Sequence, residues 1–81
     1  MKVHVQLFSR LRDLAGTSQI EVDLSEGARI SDLLKMLYKQ MPTLREWDNS
    51  ILTASGVDFV GRDHILKSDE QISVMPPVQG G

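Results

Sequence analysis

The chain contains no cysteine. Disulfides and thiolate metal sites are therefore excluded, as is a thioester or persulfide on a side chain of its own. If this protein carries sulfur or an acyl group, the C-terminal carbonyl is the place available. Phosphate-cradling loops are missing too: the sequence has no Gly-x-x-x-x-Gly-Lys and no Gly-x-Gly-x-x-Gly, so any ATP chemistry must be borrowed from a partner. No apolar run approaches the roughly 20 residues needed to cross a bilayer. Met1-Lys2-Val3-His4 opens a strand-like alternation and has no signal-peptide core, so the expected compartment is the cytoplasm. The formal net charge of −2 argues against a nucleic-acid surface. At 81 residues the chain makes one small domain that buries only about 60–65% of its unfolded surface. That leaves little room for a substrate cavity beside a core, and favours a module that docks onto something larger over a self-contained enzyme.

What is present reads as alternating strands around one amphipathic helix. Val3, Val5 and Leu7 alternate with Lys2, His4, Gln6 and Phe8, the pattern of a half-buried strand, with Phe8 on the polar-side register. Ser9 to Leu14 fits a short helical turn closed by Gly16. Ile20, Val22 and Leu24 mark a second strand, which the short loop Ala15–Ser18 makes antiparallel to the first. After the turn Ser25-Glu26-Gly27, Ile30, Leu33, Leu34, Leu37, Tyr38 and Met41 form the full apolar stripe of a helix. Ser31 and Asp32 suit its first turn and Pro42 ends it. Thr43 to Asn49 is expected to connect, with Trp47 as a lid on the core's edge. Ile51–Ser55 reads as a third strand, Gly56–Gly61 holds a short fourth, and Ile72 and Val74 anchor a last one that Pro76-Pro77 stops. The order predicts an α+β fold: a β-grasp (ubiquitin-like) roll, a mixed sheet with one main helix packed on one face and its first and last strands central and parallel. The expected division is a domain over residues 1–77 and a flexible diglycine tail over 78–81.

The chemistry is expected at that tail. Gly80 and Gly81 lack Cβ atoms, so the terminal carboxylate can thread a narrow channel with no side chain to block a nucleophile. From Val78 to Gly81 the reach is at most about 14 Å, at roughly 3.5 Å per extended residue. A carboxylate is a poor electrophile and needs activation, most simply by adenylation. The Gly81 carbonyl could then accept sulfur as a thiocarboxylate or pass to a lysine as an isopeptide.

The remaining polar residues carry weaker signals. His4 and His64 lack ligand-like spacing to carboxylates, and no metal site is expected. Asp58, Asp63 and His64 are explained by turn polarity, and Asp69-Glu70 by a solvated turn. Phe8 and Met75 fall on the outward register of strands expected to be neighbours, and Phe59 sits in a short edge segment. Together they would form an exposed apolar patch opposite the helix, of the kind that marks a protein interface.

Three segments resemble one family. Pro76-Pro77-Val78-Gln79-Gly80-Gly81 is similar to the Pro-Pro-Val-x-Gly-Gly ending of the small, sulfur-carrier subunits of molybdopterin synthase (MoaD-like proteins). Leu7 to Gly16 resembles that family's Phe-Ala-x-x-Arg-Glu-x-x-Gly segment. Leu66 to Ile72 resembles its Leu-x-x-Gly-Asp-Glu-Val turn, with Ser68 where the family has glycine. The resemblance implies a non-catalytic sulfur donor whose active site lies on a large catalytic subunit, MoaE-like, in a heterotetramer. It implies that a ubiquitin-activating-type adenylating enzyme, MoeB-like, activates Gly81 with ATP, and that a sulfurtransferase then makes the thiocarboxylate. The sulfur would go to cyclic pyranopterin monophosphate in molybdenum cofactor biosynthesis. No cofactor would be bound by the chain itself. Phe8, Phe59 and Met75 would join Pro76, Pro77 and Val78 in the partner contact, and Arg12 would add a polar one. The residues leave open a sulfur carrier for thiamine thiazole or tRNA thiolation, a ubiquitin-like protein modifier, and a β-grasp binding module with an inert tail.

Overall fold

The computed structural model describes residues 1–77; the expected tail, Val78 to Gly81, lies outside them. The chain runs β1 (Lys2–Leu7), α1 (Ser9–Ala15), β2 (Gln19–Asp23), α2 (Ile30–Gln40), a 3-10 helix (Pro42–Ser50), β3 (Leu52–Ser55), β4 (Asp58–Phe59) and β5 (Gln71–Met75). The five strands form one sheet in the order β2-β1-β5-β3-β4. β1 and β5 are central and parallel, with Leu7 opposite Val74. The β1–β2, β3–β5 and β3–β4 pairs are antiparallel. This is the mixed roll that the strand and helix pattern predicts.

Alternation explains the layering. Val3, Val5 and Leu7 of β1, Val22 of β2, and Ile72 and Val74 of β5 are all buried, and they pack in one cluster with Ile30, Leu33, Leu34 and Leu37 of α2. Burying one such side chain is worth about 1.5–3 kcal/mol, so these residues, with Leu11, Tyr38, Leu44 and Leu66 of the same cluster, supply most of what holds a chain this short. Asp32 caps the start of α2 by accepting the Arg29 N–H at 2.9 Å, which satisfies a donor the helix itself leaves orphaned. Met41 follows the last turn, and Pro42 occupies the first position of the next helix, where its missing N–H costs nothing.

The segment expected only to connect is a nine-residue 3-10 helix. Leu44 is fully buried and Trp47 packs against the core edge as a lid. Their three-residue spacing matches the three residues per turn of this helix. Side chains lock it in place. The Tyr38 hydroxyl donates to Asp48 Oδ1 at 2.6 Å, and Arg62 donates to the same oxygen at 2.8 Å. Those two bonds, Tyr38 first, hold the Asp48 carboxyl below its ordinary range. Burial, then the Asp48 carboxylate, pushes the Tyr38 hydroxyl up, so it remains a donor at neutral pH.

Turn chemistry fixes the last part of the sheet. Ser55 pairs with Asp58, leaving a two-residue hairpin loop, Gly56-Val57. Gly56 has φ +61° and Val57 does not share it, the pattern of a type II′ turn. In the turn before β5, the left-handed residue is Asp69, at φ +63°, and Ser68 keeps an ordinary φ. Aspartate tolerates that conformation better than most residues, so serine at 68 is no burden on the turn.

Candidate functional site

The face of the sheet away from α2 is where the expected contact residues meet. Phe8 stands just past β1 with φ −122° and ψ 153°, so it extends the strand's alternation and its side chain lies on the outer face. Its N–H donates to the Val74 carbonyl at 3.2 Å, and its carbonyl accepts from Leu11 and Arg12. The first of these bonds sets Phe8 beside Met75 at the end of β5. Met75 lies opposite Leu52 across the β3–β5 ladder. One step along β3, Ala54 lies opposite Phe59. Ala54 is buried although it points outward, whereas Phe59 is 70% exposed and Phe8 and Leu52 are each more than a third exposed. The result is an apolar corner made of Phe8, Met75, Leu52 and Phe59.

Pro76 and Pro77 follow directly and are half-buried. Proline cannot continue a ladder, so the two residues end β5 and launch the chain beyond it from this corner. Arg12 is one helical turn beyond Phe8 and mostly exposed, its Nε 3.8 Å from Asp13. Val78, Gly80 and Gly81, the remaining residues singled out, lie outside the described residues. Leu52 was missed by sequence reasoning; its signal was the outward register of β3, two residues before Ala54.

The opposite end of β5 is held by a polar cluster that turn polarity did not foretell. Glu70, expected in a solvated turn, is instead mostly buried: its side chain is 12% exposed. It accepts from Ser55 Oγ at 2.5 Å, from His64 Nε2 at 2.7 Å and from the Lys67 N–H at 2.7 Å. A carboxylate that accepts three bonds needs hydrogens on all three partners, so His64 carries its proton on Nε2. Burial works to raise the Glu70 carboxyl, but the bonds from Ser55, His64 and Lys67 outweigh it and hold the group below its ordinary value. The Glu70 carboxylate closes the turn back onto β3 and the loop at His64, which draws it inward. His4 stays on the outer face between Glu21 and Asp69, at 3.8 and 3.5 Å.

These groups do not make a catalytic relay. Ser55 and His64 both bond to Glu70 and not to each other, so the three lack the serine–histidine–carboxylate order of a nucleophilic relay. Among the described residues no group of three or more His, Cys, Asp or Glu is placed to hold a metal ion, and no helix is long and apolar enough to cross a membrane.

Comparison with known proteins settles the lineage. The profile of the ThiS family matches residues 5–81, from the middle of β1 to the final glycine. The chain belongs to the ThiS family. A Drosophila yakuba protein named molybdopterin synthase sulfur carrier subunit is 32% identical to it over 83 aligned positions that cover all of this chain and 92% of the relative. Among solved structures, a Pyrococcus furiosus protein provisionally described as molybdopterin converting factor subunit 1 superposes with a TM-score of 0.87 at 34% identity, over 96% of this chain and 99% of that one. The small archaeal modifier protein 1 of Methanosarcina acetivorans superposes with a TM-score of 0.82 at 28% identity, over 99% and 96%. The ThiS-family chain therefore has the ubiquitin-like β-grasp fold that its pattern predicted.

Proposed function

We propose that this chain is the sulfur-carrier subunit of a molybdopterin synthase, with the Gly81 carboxylate as its working group. The observation that carries the reading is the end-to-end match to a relative named for that role. A family match that runs to residue 81 supports placing the chemistry at the diglycine end. The chain itself is a substrate and donor, and the active site belongs to a large catalytic subunit. An adenylating enzyme of the ubiquitin-activating type uses ATP to turn the Gly81 carboxylate into an acyl adenylate with release of pyrophosphate; the persulfide sulfur of a sulfurtransferase displaces AMP to give an acyl disulfide, and a second thiol cleaves that disulfide reductively to leave the thiocarboxylate. The tail then enters the catalytic subunit and gives its sulfur to cyclic pyranopterin monophosphate. Two carriers and two catalytic subunits assemble, in the cytoplasm.

In this reading the apolar corner is the docking surface and the roll is a rigid handle. Phe8, Phe59, Met75 and the two prolines surround the root of the tail, and Arg12 supplies a polar contact at its margin. Having no cysteine suits the role, because no side-chain thiol competes with the terminus for sulfur.

The similarity to a small archaeal modifier protein favours a second reading, in which the activated Gly81 is passed to lysines of other proteins. Intact mass spectrometry of the chain purified from its own cells separates the two. Exchange of one terminal oxygen for sulfur supports the carrier; isopeptide adducts with no thiocarboxylate would replace it with the modifier.

A further inference from the structure

The apolar corner does not end at Phe59. Val57, at the tip of the β3–β4 hairpin, is 97% exposed. A type II′ turn needs glycine at its first central position and accepts small polar residues at the second. Here that second position holds a β-branched apolar side chain that touches no part of the core. Leu52 stands at the other end of the same strand. Between Leu52 and Gly56 the strand advances about 13 Å, at roughly 3.3 Å per residue. Met75, Leu52, Phe59 and Val57 thus form a strip along the β3–β4 edge, from the root of the tail to the hairpin tip. The other half of the outer face is different in kind. There a shallow, mostly polar depression of about 480 Å³ runs from Gln19 and Glu21 past His4 and Gln6 to Gln71 and Ser73 of β5, and meets the strip only at Gly56.

We propose that the catalytic subunit of the synthase lies along this β3–β4 strip, with Leu52 and Val57 as contact residues, and leaves the β1–β2 half of the face in water. The inference rests on the carrier reading. The tail selects the occupant: the four residues beyond Pro77 reach at most about 14 Å, so whatever receives Gly81 must sit within that distance of the corner and cover it. The direction of the footprint follows from surface chemistry. The core of an interface is depleted in charge and built on apolar anchors. Among the described residues of this face, the exposed apolar side chain beyond the corner, Val57, lies on the β3–β4 side.

The test is the affinity of the full-length chain for the catalytic subunit of the same organism, by isothermal titration. Val57→Asp and Leu52→Asp each weaken binding by about tenfold or more, because each sets an unpaired charge into a desolvated contact. Glu21→Arg, on the polar half, changes affinity by less than about twofold, the behaviour of a residue outside the buried contact. Val57 packs against nothing, so its variant folds as the parent does even if the Leu52 variant does not. Unchanged binding by Val57→Asp overturns the strip, as does an equal loss in Glu21→Arg. A parent chain that fails to bind the catalytic subunit at all overturns the carrier reading itself.

Discussion

Glu70→Gln is the substitution that tests the architecture most sharply. Glutamine has the same shape, but its amide NH2 replaces one acceptor oxygen. Of the three donors now served by the carboxylate, those facing the NH2 lose their acceptor, and the rest bond to a neutral carbonyl. Hydrogen bonds to a charged group contribute about 1.5–3 kcal/mol each, and an orphaned buried donor costs about 1–3 kcal/mol. The His64 ring is partly exposed and recovers part of its loss from water. We expect a net destabilisation of about 2–3 kcal/mol, against a total stability of roughly 4–12 kcal/mol for a chain this size. Thermal unfolding followed by circular dichroism should fall by about 10–20 °C, at roughly 4–8 °C per kcal/mol. The pH dependence carries a second signature. The folded Glu70 carboxyl titrates below its ordinary value, so the unfolded chain binds more protons in the interval between the two. The parent's stability therefore holds above the ordinary carboxyl range near about 4.3 and is lost as pH falls through the folded value. Glu70→Gln lacks this contribution at every pH. A loss under about 0.5 kcal/mol, or an unchanged acid limb in the variant, would refute the clamp.

Three further outcomes follow from the same structure. Gly56→Ala should destabilise by at least about 1 kcal/mol in urea titration, because nothing lies within 4 Å of a Cβ there and the cost is that of the positive φ alone; an unaltered midpoint would mean the hairpin does not need glycine. Phe59→Asp should weaken binding to the large subunit through a buried, unpaired charge, yet leave thermal stability nearly intact, since Phe59 is largely exposed; unchanged affinity removes Phe59 from the interface. Deleting Gly81 should abolish sulfur transfer and shift the unfolding midpoint by less than about 2 °C, the usual tolerance of a terminus with no core contacts; full transfer by the truncated chain would refute the carboxylate mechanism.

The residues announced the fold because its periodicities are clean. β1 alternates without a break, α2 shows five buried apolar positions at helical spacing with Met41 just past its end, and Pro42 and Pro76 mark real ends. The 3-10 helix escaped notice because its period of three, carried only by Leu44 and Trp47, resembles a loop until the packing partners are known. Half of the site was legible in the same way. Phe8 and Met75 could be put side by side because both sit on the outward register of neighbouring parallel strands. Leu52 and Val57 could not be assigned so simply: their meaning depends on which strand β3 pairs with and on the geometry of the turn at Gly56. Glu70 was misjudged for a related reason. Its three donors come from residues 55, 64 and 67, and only the fold brings Ser55 and His64 to it.

The central claim is that Gly81 carries sulfur as a thiocarboxylate. The direct measurement is intact mass spectrometry of the chain isolated from its own cells, with and without the activating enzyme. The carrier account predicts a species heavier than the plain chain by the exchange of one terminal oxygen for sulfur, present only when the activating enzyme is. A chain whose terminus stays an unmodified carboxylate while molybdopterin synthesis proceeds would contradict it.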